Sequence, residues 1–343
     1  IRLSLVGSEM CIRDRFVSED AQQIEVVLAR DYNKGLSVFH NSTFYSLNTS
    51  YGRPGLTRKI VASYLMADGT RFTDKAGWET MEFRDECQNR DPRLAQSIRT
   101  PGYTRINSTK VEVPSLSTCM TGYQPIKWVI DDTSMDSNTA PCATSIPILR
   151  YAEVLLNYAE AKAELGEFSE TVWNATIKLL RERAGVDGAM PSAYDPYMAE
   201  YFLNTTTDMA ILEIRRERGI ELLLENCRWD DDMRWHMGDL LTSDNNPWTG
   251  IYIGSTSYTY DYTGLSTDDN GDPVPDFYIR PGEDTEHSIA ISNTGANQTF
   301  SLNGEGNIVW EYRRVWSEKK YLRPIPLTAI TRNPNLEQNA LWK

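Results

Sequence analysis

The acidic residues between 213 and 232 are the first place where this sequence could do chemistry. Glu213, Glu217, Glu221 and Glu225 recur every four residues, and Asp230, Asp231 and Asp232 follow. That spacing puts the four glutamates on one face of a helix. A hydrolase working through an acid–base pair needs two carboxyls about 5–9 Å apart across a cleft. One of them must be kept protonated by its surroundings. Here the carboxylates interleave with Arg215, Arg216, Arg218, Arg228 and Arg234. A carboxylate beside an arginine stays ionised. The pattern therefore points to a structural ion network, and no catalytic residue is expected.

Other constellations are weaker. Asp268, Asn270 and Asp272 have the oxygen spacing that opens a calcium loop. Pro273 stands where such a loop wants Gly, and Ile279 stands where its closing Glu belongs. An Asn270-Gly271 turn is the expected structure, and neither metal nor cofactor is expected. His40, His236 and His287 are far apart, and no HExxH, GxSxG or Walker sequence occurs. Cys119 and Cys142 flank one polar loop and could bridge in an oxidising compartment. Free buried thiols are the expected state of these two and of Cys87 and Cys227. The absence of CxxC argues against a zinc ribbon.

Aromatic residues are the richer signal. The chain has 9 Trp and 18 Tyr, many in polar, loop-like stretches. Tyr45, Tyr51, Phe72, Trp78 and Tyr103 form one group in sequence. Trp248, Tyr252, Tyr258, Tyr260 and Tyr262 form a second. In a strand, the alternating Tyr258, Tyr260 and Tyr262 would share one face. Each ring either packs against its own loop or offers a flat surface to a ligand.

The elements that must position these residues read as mainly helical. Residues 148–165 carry apolar side chains at 148, 152, 155, 156, 159 and 163, the spacing of a helix that stops at Gly166. A second run places Trp173, Ile177, Leu180 and Ala184 on one face and stops at Gly185. Two helices with so short a link form an antiparallel hairpin. The turn Leu165-Gly166-Glu167-Phe168 resembles that of a tetratricopeptide unit, which cannot bury its apolar face alone. Residues 207–225 read as a long helix running on towards Trp235. Shorter helices are expected within 16–36, 56–66 and 78–87. Residues 101–132 alternate more like strands. The end, 321–342, holds too much Pro for helix and reads as an extended tail packed on the helices.

Bulk properties remove some functions. With 343 residues and a formal net charge of −13, the chain offers no basic stripe for nucleic acid. No run of 18 apolar residues exists. Residues 1–15 look like a translated sequencing adapter, with Met10-Cys11-Ile12-Arg13-Asp14 at its core. They are set aside as a non-native leader, which makes 16–343 the native domain, read as the C-terminal part of a longer protein.

Three separated motifs then agree. The helix at 149–166, the block Glu225-Asn226-Cys227-Arg228-Trp229-Asp230-Asp231 with Arg234-Trp235, and the tail Tyr321-Leu322-Arg323-Pro324-Ile325-Pro326 with Asn333-Pro334-Asn335-Leu336-Glu337-Gln338-Asn339 together resemble the SusD/RagB family. Asn226 and Asp232 depart from the family's usual Gly and Leu. The resemblance implies a SusD-like fold, with tetratricopeptide-like hairpins supporting a large irregular loop face with short β-hairpins. It implies a lipid-anchored outer-membrane protein of Bacteroidetes that captures oligosaccharides for a SusC-like TonB-dependent transporter. The peptide-capturing role of RagB-like proteins and a glycan hydrolase using an Asp/Glu pair are the alternatives. On this reading the two aromatic groups are candidate sugar platforms, since a flat ring covers the C–H face of a sugar while polar neighbours bond its hydroxyls. The family's binding loops vary, so no site residue transfers by position.

Overall fold

The computed structural model describes residues 13, 16–21, 23–106, 108, 112–137, 142–254, 303–310 and 312–343, with the backbone of short strands between 266 and 302. The chain opens with strand β1 (Val26–Arg30) and four short helices: α1 (Ser42–Leu47), α2 (Arg58–Ser63), α3 (Phe83–Glu86) and α4 (Arg93–Ser97). Strand β2 (Ile146–Arg150) follows and pairs antiparallel with β1. The helical body is α5 (Tyr151–Glu164), α6 (Glu170–Ala175), α7 (Ile177–Ala184), α8 (Pro196–Tyr201), α9 (Met209–Glu221) and α10 (Arg228–Arg234). Then come β3 (Trp248–Tyr252), β4 (Ser266–Thr267), β5 (Pro273–Val274), β6 (Tyr278–Pro281), β7 (Ser288–Ile291), β8 (Ser301–Leu302) and β9 (Asn307–Trp310), and the tail helix α11 (Leu327–Arg332). Helix predominates, as expected.

Helix α9 lies at the centre, packed by α2, α5, α7 and α8. It is buried almost all round rather than along one stripe. Ile214 and Leu222 close the face of the hairpin by meeting Leu155, Leu156, Ala159, Trp173, Ile177 and Leu180. The hairpin thus finds the cover it requires. Ile220 joins a second cluster with Val61, Tyr64, Phe83, Leu94, Tyr123 and Ile251.

Several expectations are corrected. The helix anticipated within 16–36 is largely strand β1, where Val26 and Val27 suit an extended backbone. Its partner β2 takes the first residues of the anticipated helix at 148, so α5 begins at Tyr151. Pro147 is tolerated because β2 belongs to a two-stranded ribbon. The second arm of the hairpin breaks at Thr176, whose hydroxyl donates to the Val172 carbonyl at 2.6 Å. The stretch 78–87 is a 3-10 turn at Trp78–Thr80 followed by α3, not one helix. Residues 101–132 form no named strand among the described residues; Ile98 makes one isolated bridge to Pro125. Lys110 and Val111 lie outside the described residues.

The long helix does not run through to Trp235. Leu224 and Asn226 take φ of 61° and 66° and separate α9 from α10. Position 226 is where the family pattern has Gly, and Asn tolerates this left-handed region better than other L-residues. Asp232, the second departure, is buried with the Arg228 Nε 2.8 Å from its carboxylate.

The tail is not extended throughout, and it meets the helical body at its start, where the Tyr321 hydroxyl accepts from the Gly238 N–H at 2.6 Å beside α10. It contains α11, and the Gln338 amide clamps Ile325, accepting from its N–H at 2.8 Å and donating to its carbonyl at 2.9 Å. Leu322, Leu327 and Leu341 are exposed. The stretch just before the tail is anchored where Trp316 lies against Gly238. A Cβ there would fall 1.9 Å from the ring, so only glycine fits. Arg13, in the leader set aside above, donates to both Asp131 carboxylate oxygens and to the Ile126 and Val129 carbonyls.

Candidate functional site

The carboxylates on α9 meet arginines from three other parts of the chain. Arg93 Nη1 contacts Glu217 and Glu221 at 2.9 and 3.1 Å. Arg181 bonds Glu213 and Glu217, Arg183 bonds Glu221, and Arg150 reaches Glu25, Glu221 and Glu225. Burial alone would push these carboxyls up. The guanidinium groups outweigh it, leaving Glu213 and Glu217 below the ordinary value and Glu221 well below. Ionised, buried and saturated with donors, they hold the helices together and cannot give up a proton. Burial raises Asp232, against the opposing Arg228, but it is almost fully enclosed and presents no open face.

The first aromatic group does not assemble. Phe72 is 1% exposed and packs with Ala62 and Met66, with the Arg90 guanidinium 3.7 Å from its ring centroid. Trp78 is half-buried, edge-on to Phe72 and Tyr197 at 6.0 and 5.5 Å. Phe72 is therefore a core residue, a correction to its reading as a ligand surface, and Trp78 packs partly buried against that core. Tyr103 is also half-buried, and its hydroxyl donates to Asp131. Burial, and then that bond, push the Tyr103 hydroxyl up to about 12. Tyr45 and Tyr51 are 50% and 46% exposed and meet edge to face at 4.8 Å, with Phe44 beside them. Among the described residues, no ring contact joins these three places.

The second group keeps one of its members at a coherent surface. Trp248 opens β3, opposite Trp310 on β9. The strand lies tight against residue 121: Ile251 N–H donates to the Thr121 carbonyl at 2.9 Å, and a Cβ at Gly250 would fall 2.0 Å from that oxygen. Just past β9, the Tyr312 ring lies within 12° of the Trp248 plane, centroids 6.3 Å apart. Tyr312 is 64% exposed. The Arg314 guanidinium sits 4.3 Å from the Trp248 ring centroid. It donates to the Leu241 and Asn246 carbonyls. Ser243 Oγ ties the edge together, donating to the Tyr312 carbonyl and accepting from the Arg314 N–H. Two buried polar atoms at this surface have no partner, Arg314 Nε and Asn246 Oδ1. Tyr258, Tyr260, Tyr262 and the Asp268–Asp272 stretch lie outside the described residues.

Sequence reasoning found Trp248 and missed Tyr312 and Arg314. The signal was there: Trp310, Tyr312 and Arg314 alternate, as strand residues sharing a face do. The register that sets Trp310 opposite Trp248, and so leads the chain back past that ring, is not written in either segment alone.

Cys87, Cys119, Cys142 and Cys227 are free thiols. Cys142 Sγ lies 3.7 Å from His40 Nε2. The imidazole is not poised as its base. Nδ1 accepts from the Ser42 N–H at 3.3 Å, so Nε2 carries the proton and donates to the Thr144 carbonyl at 2.9 Å. Among the described residues, no group of three His, Cys, Asp or Glu side chains could hold a metal. No helix there is long and apolar enough to cross a membrane.

A model of the SusD family matches residues 25–342. No curated protein sequence matches the chain. Among solved structures, a SusD-like protein from Bacteroides fragilis superposes with a TM-score of 0.58 at 20% identity, over 96% of this chain and 56% of that one. A SusD-like carbohydrate binding protein from the same species gives 0.55 at 22% identity, over 91% and 54%. The chain therefore spans about half the length of the solved structures it matches. At such identity the likeness shows the fold.

Proposed function

The chain belongs to the SusD family, and from that premise we propose that it is a non-enzymatic glycan-capturing component of a nutrient-uptake system. In this reading it works at the outer-membrane surface, held there by a lipid anchor, and hands oligosaccharide to a SusC-like TonB-dependent transporter. A structural relative described as carbohydrate binding is in keeping with this.

The observation that carries the reading is the near-parallel pair Trp248 and Tyr312. Tyr312, stacked against Trp248 and 64% exposed, offers a flat face to the C–H side of a sugar residue. The Arg314 guanidinium lies beside them, its two carbonyl partners taking only part of its five N–H donors. A few stacks and hydrogen bonds on an open edge give modest affinity, which suits capture followed by release. The α9 carboxylates, locked in ion pairs, support binding without hydrolysis. Tyr45 and Tyr51 are a second exposed aromatic surface; Phe72, Trp78 and Tyr103 have their rings or hydroxyl engaged by the protein.

The test is titration of the folded protein with plant, host and microbial oligosaccharides, followed by tryptophan fluorescence and calorimetry. Saturable binding without release of shorter products supports the proposal. Turnover of the oligosaccharide would favour the hydrolase alternative, and binding of peptides but no glycan would favour a RagB-like role.

A further inference from the structure

Six arginines on and around α9 are neutralised. Arg93, Arg150, Arg181, Arg183, Arg216 and Arg218 each meet a carboxylate within 4.0 Å. Arg314 differs. Among the described residues no carboxylate lies within ion-pair distance of it, and its guanidinium donates only to backbone carbonyls. Burial is the sole influence lowering its pKa, with no anion opposing it. At neutral pH it still carries its charge. A guanidinium has five N–H donors, and the two carbonyls take only part of that capacity. The charge sits on one face of Trp248, beside the exposed Tyr312.

A neutral sugar would use such a group only through hydroxyls. A carboxylate would use its charge as well, forming the stronger, charge-assisted bond. The setting sharpens the point. The chain carries a net charge of −13, so a general attraction for anions is absent and any preference for them must be local. Arg313, exposed next to it, adds a second positive charge, while Asp244 is exposed on the facing loop. Resting on the reading of Trp248 and Tyr312 as a sugar platform, we propose that this site selects acidic glycans: a uronic acid residue stacks on the exposed Tyr312 ring and its carboxylate pairs with Arg314.

The experiment compares oligogalacturonate and oligoglucuronate with their methyl esters, which keep the rings and remove the charge. Binding of an acid oligomer that weakens about tenfold or more on esterification, falls with added salt, drops by a similar factor in Arg314→Gln and recovers in part in Arg314→Lys supports the proposal. Thermal melts of both variants check that they fold. Equal binding of acid and ester, or unchanged acid binding in a folded Arg314→Gln, overturns the acidic preference and leaves glycan capture standing. Binding of neutral oligosaccharides alone does the same. Failure of the folded protein to bind any glycan, charged or neutral, overturns both.

Discussion

Arg181 Nε lies 2.6 Å from Glu217 Oε1, and neither side chain reaches solvent. The same glutamate takes Arg93 on its other oxygen. Glu217 is thus the shared anion of two buried cations, on the helix that α2, α5, α7 and α8 pack against. Removing it strands both guanidinium groups. Glu217→Gln is expected to cost about 3–5 kcal/mol, read as a shift in the urea midpoint at unchanged slope. A change within about 0.5 kcal/mol would mean that the network is ornamental to stability.

The same network sets the acid limit of the fold. Glu213, Glu217 and Glu221 have folded values below the unfolded 4.5. A depressed carboxyl adds stability that is fully present above its unfolded value and is lost as pH falls through the folded one. Thermal midpoints should therefore change little on this account from neutral pH to about 5 and fall steeply below about 4.5. A midpoint that rises on acidification through that range contradicts the assignment.

Phe72 is core and Trp78 packs partly buried against it. Phe72→Ala is expected to lose about 3–5 kcal/mol of stability. Trp78→Phe should lower the melting temperature while leaving glycan affinity unchanged. A loss of affinity in Trp78→Phe with an unchanged melt would return that ring to the binding surface.

Much of this was legible before the structure. The four-residue repeat from Glu213 to Glu225, interleaved with arginine, announces an ion network. The partners Arg93, Arg150, Arg181 and Arg183 are not announced, because they arrive from segments far apart in the chain. The hairpin was legible from its apolar spacing, but its first turn was not. Ile146–Arg150 is apolar enough to extend the helix, and only pairing with β1 makes it strand. Trp78 looked like a surface residue because its neighbours in sequence are polar; its neighbour in space, Tyr197, is more than a hundred residues away. Tyr312 and Arg314 escaped for the matching reason, since they reach Trp248 only because β9, just before them, pairs with β3.

Asn226 holds a left-handed backbone between α9 and α10. Asn226→Gly should leave stability unchanged or raise it, whereas Asn226→Ala should cost about 1–2 kcal/mol. Equal melts for the two variants would show that the φ of 66° is not maintained in solution.

The thiols should be unlinked. Cys119 and Cys142 are buried and separate. Reductant is expected to leave the melting temperature and the intact mass unchanged, and a mass gain of two hydrogens on reduction would reveal a bridge.

The most direct measurement is the affinity of Trp248→Ala for whichever oligosaccharide binds the unaltered protein. Trp248 is half-buried at the start of β3, so a melt must accompany it. A loss of about tenfold or more in a folded variant, matched by Tyr312→Ala and absent from Tyr45→Ala, is the result expected. Full affinity in both Trp248→Ala and Tyr312→Ala would contradict the central claim and move glycan capture to another face of the protein.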